Sequence, residues 1–144
     1  MAASSVNYTR RHLRFGWWAL FIFLAMGIFL EALHGFKIGF YLDVSNESRR
    51  FMWRLAHAHG AFFALINIAF ALTLKQLPGD WSKLPSSLLR AATIIMPGGF
   101  FIAGWGIKGG DPGPGVILVP IGALCLLVSV ALIAAKSGKT ETTD

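Results

Sequence analysis

The chain has 144 residues, 55% of them hydrophobic and only 14% charged, with a formal net charge of +6. So low a charged fraction, against roughly 25% in soluble domains, excludes an ordinary water-soluble enzyme. The positive balance does not indicate nucleic-acid binding, because Lys and Arg fall at the ends of apolar runs, where they anchor to headgroups and set topology.

Four apolar runs of spanning length can be marked, at about 15–34, 54–74, 88–107 and 116–135. Lipid cannot satisfy backbone polar groups, so these runs must be helices. The expected fold is all-α: one polytopic membrane domain over residues 1–144, a four-transmembrane-helix bundle. With four spans, the N-tail, the second loop and the C-tail share a side. That side carries eight basic residues (Arg10, Arg11, Arg14, Lys75, Lys83, Arg90, Lys136 and Lys139), against five (Lys37, Arg49, Arg50, Arg54 and Lys108) on the other. The positive-inside rule therefore predicts cytoplasmic termini and a multi-pass protein of the plasma (inner) membrane. The lone Cys125 falls in the fourth run and allows no disulfide within one chain.

The first run is preceded by Thr9-Arg10-Arg11-His12-Leu13-Arg14. This resembles a twin-arginine export signal, but a basic cytoplasmic flank to a membrane helix reads better. The run then changes character at Glu31-Ala32-Leu33-His34-Gly35-Phe36-Lys37, and helical spacing puts Gly27, Glu31 and His34 on one face. A carboxylate and an imidazole beside a glycine mark a packed face. In the first outer loop, residues 38–53, Asp43-Val44-Ser45-Asn46 suits a turn held by side chains bonding nearby backbone.

The second run, Arg54 to Leu74, places His57 and His59 at its first turn and Asn67 deeper. The two histidines lie about 200° apart around a regular helix. His57 shares its stripe with Ala61, Ala64 and Ile68, and His59 with Phe63, Ile66 and Phe70. Small residues favour close helix contact, so periodicity places His57 inside and His59 on the bulkier face. Asn67 lies between the stripes and should hydrogen-bond across helices. In the third run Pro97 predicts a kink. Residues 108–115 read as a tight outer hairpin, and the fourth helix as a lipid-facing scaffold.

Glu31, His34, Lys37, His57, His59, Lys108 and Asp111 all fall at the outer ends of the first three helices, and the inner half shows no comparable buried set. Any site is therefore expected on the outer side. Three readings compete. One is a haem b held by two histidines, drawn from His34, His57 and His59, for electron transfer; antiparallel neighbours would place His34 and the second-helix ligand at similar depth. Ala58-His59-Gly60 followed by Ala61-Phe62-Phe63 resembles the second helix of haem–copper oxidase subunit I, and small four-helix bacterial membrane proteins with a His-x-His. That resemblance implies His59 as the ligand, whereas periodicity prefers His57. The oxidase's copper-ligand histidines have no counterpart here, so oxygen reduction is not implied.

The second reading is a mononuclear metal site from Glu31, His34 and His57 or His59, or quinone chemistry. The third is a structural or accessory membrane subunit without cofactor, with Lys37, Asn67 and Asp111 as structural polar residues. Nothing in the sequence resembles a nucleophile with its base, so no enzyme is expected. So thin a bundle points to a homo-oligomer or a larger membrane complex as partner, beside the lipid bilayer.

Overall fold

The computed structural model describes residues 3–77, 81–105 and 111–138. These residues form helices and turns alone. Helix α1 spans Ala3–Gly35, a single turn α2 spans Gly39–Leu42, and α3 spans Glu47–Gln76; α4 spans Lys83–Ala103 and α5 spans Leu118–Ser137. Four of the helices are long and apolar enough to cross a membrane.

The helix ends follow from local chemistry. The Asp43 carboxylate accepts from the Ser45 backbone N–H at 2.9 Å and the Ser45 hydroxyl at 2.6 Å, closing the turn before α3. Asn46 then caps α3, its Oδ1 accepting from the Arg49 N–H at 3.2 Å. With that cap in place, Arg49, Arg50 and Arg54 are helical, and α3 starts seven residues before the expected Arg54. Arg49 folds back over Phe40, its guanidinium 3.8 Å from the ring centroid and its Nη1–H donating to the Phe40 carbonyl at 2.6 Å. Helix α1 likewise starts at Ala3 and not near Phe15, because a basic flank ends the hydrocarbon span without ending the helix. Helix α4 runs continuously through Pro97.

Long helices pack on their sequence neighbours: α1 on α3, α3 on α4, and α4 on α5. Helices α1 and α5 make no comparable contact among the described residues. The α1–α3 register is antiparallel. Gly16 lies against Ala64 and Ile68, Phe23 over Gly60, and His57 over Gly27. The buried face of α1 runs through His12, Gly16, Ala19, Gly27 and Leu30, the spacing of one helical stripe. Helix α5 is mostly exposed and buries only Gly122 and Ser129.

Two apolar clusters mark the ends. Phe70, Leu74, Trp81 and Leu89, with Tyr8, Leu126 and Ile133, draw all four long helices together at the end where the termini lie. Leu30, Tyr41 and Trp53 close the other end, where Trp53 stacks on Phe101 at 5.4 Å and donates to its carbonyl at 3.1 Å.

Candidate functional site

A groove of about 980 Å³ opens between α1 and α3 at the end away from the termini. Glu31, His34 and His57 all line it, with Arg50 and Arg54 at its edge and Leu30 and Leu55 as apolar wall. His57 is half-buried, and its ring lies over Gly27, where a β-carbon would come within 2.8 Å of Nδ1. Its Nδ1–H donates to the Phe23 carbonyl at 2.7 Å. A carbonyl can only accept, so in the neutral ring the lone pair sits on Nε2. This is the pattern in which a ligating histidine is oriented by a second hydrogen bond.

His59 does not share the groove. It faces α4, edge-on to Phe63 and 5.0 Å from the Phe100 ring, and its Nδ1–H donates to the Leu55 carbonyl at 2.9 Å. The arrangement thus separates the two histidines. Depth also differs from the expectation. Because α3 begins at Glu47, His57 sits well inside the helix and not at its first turn. The α1–α3 register brings Arg54 and Arg50 to the levels of Glu31 and His34, so His34 lies about two turns, ~10 Å, from the His57 level.

Among the described residues, no three His, Cys, Asp or Glu side chains come together to hold a metal ion. Glu31, His34 and His57 therefore share a groove without forming the expected metal triad. Lys37 takes a left-handed φ of 54° just past α1, a chain reversal more often given to glycine. Asp111 is exposed beyond α4, and Lys108 lies outside the described residues. Beside the groove, burial pushes the Tyr41 phenol above its usual range, which keeps it neutral.

The inner half is not empty, as the sequence suggested. His12 is fully buried, and three helices meet on it. Its Nδ1 lies 2.8 Å from Asn67 Oδ1, and its Nε2 lies 2.8 Å from Ser86 Oγ. Asn67 Nδ2 donates to the Phe63 carbonyl and to Thr93 Oγ1, both at 2.9 Å, and the Thr93 hydroxyl donates to the Leu89 carbonyl at 2.8 Å. The Phe63 carbonyl can only accept, so it fixes the amide orientation, and Asn67 Oδ1 must accept from His12 Nδ1–H. In the neutral ring Nε2 then accepts from the Ser86 hydroxyl. His12, Asn67, Ser86 and Thr93 thus all have hydrogen-bond partners.

Ser86, His12 and Asn67 thus stand in the order of a nucleophile, a base and an orienting amide. Ser86 is only 2% exposed and His12 0%, so no substrate reaches the hydroxyl, and the network acts as a clasp between helices. His12 escaped the sequence reading because its neighbours Arg10, Arg11 and Arg14 are charged. The signal that reveals it is the stripe His12, Gly16, Ala19, extended one turn back into the basic flank. Comparison of the chain with family models, with curated proteins and with solved structures found no match.

Proposed function

We propose that this chain is a small multi-pass protein of the plasma (inner) membrane, with cytoplasmic termini, whose outer groove binds haem b for electron transfer. The observation that carries the reading is His57. Its Nδ1–H is taken by a backbone carbonyl, which leaves Nε2 as the nitrogen able to ligate, and the residue lines the groove that also holds Glu31 and His34. The residues fit the group: an oriented imidazole, an apolar wall from Leu30 and Leu55, and a volume in the range of cofactor sites. In this reading His57 would hold the haem iron, and His34, on the same groove but about two turns from the His57 level, is the candidate second ligand. A bound haem would supply a one-electron couple tuned by its axial ligands and by burial.

Absorption spectra of the purified protein, air-oxidised and then dithionite-reduced, test the proposal. A Soret band that shifts on reduction, lost in His57→Ala and His34→Ala but kept in His59→Ala, is the expected result. Loss only in His59→Ala would move the ligand to the face that the oxidase resemblance implies. A featureless spectrum from a haem-competent host would favour the second reading, an accessory subunit without cofactor. That reading draws support from the long apolar faces left open on α1 and α5, among them Trp17, Phe21, Ile28, Leu124 and Leu127.

A further inference from the structure

Arg90 lies in the second turn of α4, within an apolar helix long enough to span a bilayer. Its Nε is buried and has no hydrogen-bond partner. It shares a face with Ser86, one turn earlier, and Ser86 is the residue that α4 presents to His12 of α1. Arg11 precedes His12 on α1, so the His12–Ser86 bond sets Arg11 and Arg90 on the two helices that it joins. Among the described residues every carboxylate (Glu31, Asp43, Glu47 and Asp111) lies at the opposite end of the bundle. Asp80, Glu141 and Asp144 lie outside the described residues. Two guanidinium groups on the helices that the His12–Ser86 bond joins, one of them carrying a buried N–H without a partner, form an arrangement that calls for an anion.

We propose that Arg11 and Arg90 form a site for the phosphate of an acidic phospholipid at the terminus end of the bundle. The lipid is favoured over a free anion because α4 carries Arg90 into its apolar span, where a headgroup's own acyl chains can cover the neighbouring surface. A long cationic side chain one turn inside a span reaches back toward the interface, which is headgroup depth. Basic gaps between membrane helices suit anionic headgroups for the same reason. The site is separate from the groove and stands whether or not a haem binds there.

The test uses the full chain in lipid nanodiscs of phosphatidylcholine alone or mixed with phosphatidylglycerol, with retained lipid measured by mass spectrometry after delipidation. Wild type is expected to retain phosphatidylglycerol over phosphatidylcholine. Arg11→Gln and Arg90→Gln should each reduce that preference by roughly fivefold, while Arg54→Gln at the far end leaves it unchanged. Arg11 is exposed, so its variant reports on the site even where Arg90→Gln folds poorly. In phosphatidylcholine alone, Arg90→Gln should unfold at a higher temperature than wild type, because the buried Nε–H without a partner has been removed. Equal retention in the Arg11 and Arg90 variants would overturn the proposal in favour of a diffuse cationic surface. Stabilisation of the phosphatidylcholine sample by inorganic phosphate to the same extent would assign the site to a free anion and overturn the lipid. Absence of any preference in wild type, with destabilisation by Asp80→Asn, Glu141→Gln and Asp144→Asn combined, would make the chain's own carboxylates the counter-ion.

Discussion

Replacing Asn67 with alanine tests the clasp at the terminus end most directly. The amide accepts from His12 on α1 and donates to Thr93 on α4, so two interhelical hydrogen bonds go. Such bonds average only ~0.6 kcal/mol in membrane proteins, because chains unfolded in lipid also find partners. The larger cost is what remains behind. Thr93 still donates to Leu89, but the His12 Nδ1–H faces a void in a site 0% exposed. Stranding a buried donor costs about 1–3 kcal/mol, so the substitution should cost about 2–4 kcal/mol in all. Unfolding in mixed micelles, titrated with a denaturing detergent, measures it. The double-mutant cycle with His12→Ala sharpens the test. Removing the imidazole also removes the stranded donor, so the double variant should be about 1–2 kcal/mol more stable than additivity predicts. A cost below about 0.5 kcal/mol for Asn67→Ala, or additivity within that margin, would refute the reasoning.

Three further outcomes are expected. Gly27→Ala should push His57 off the Phe23 carbonyl and weaken haem retention, whereas Gly39→Ala, with open space around it and outside the groove, should leave retention unchanged; the reduced-minus-oxidised spectrum of each variant reads this. Trp53→Phe keeps the stacking on Phe101 but loses the bond to its carbonyl, and should cost about 1 kcal/mol in the same unfolding assay. The Ser45 hydroxyl and N–H hold the Asp43 carboxyl below its usual range, so the turn's contribution is complete above the ordinary carboxylate pKa and is lost as pH falls through the depressed value. Amide exchange at Ser45 should therefore accelerate only in acid, and the acid step should vanish in Asp43→Ala.

The four long helices were legible because twenty apolar residues in lipid have one backbone solution. Their ends were not. Hydropathy reports where hydrocarbon stops, and the hydrogen-bonded turns of α1 and α3 continue past that point into Arg10, Arg11 and Arg49. Period alone separated the faces of His57 and His59 but did not say which lies inside, since His57 packs on α1 and His59 on α4, and Phe63 and Phe70 are as buried as Ala64. The depth of His57 did not, since it depends on where Asn46 caps α3. His12 was hidden by a different failure. Composition averages over a stretch, and a buried residue among exposed arginines is invisible to any average. The meeting of Ser86 and Thr93 with Asn67 depends on the α3–α4 register, which no single helix encodes.

Pairwise packing of α1 on α3, α3 on α4 and α4 on α5 has a consequence for biogenesis. Each helix can dock on the one before it as the chain grows, and none has to wait for a closing partner. The bond between His12 and Ser86 is the exception, because it joins helices that are not neighbours in the packing order. Until α4 arrives, the imidazole on the first helix has Asn67 on one nitrogen and nothing from α4 on the other. The finished clasp is therefore a timing mark: α1 carries an unsettled group through synthesis of the whole of α3, and commits to its final position only when α4 is in place.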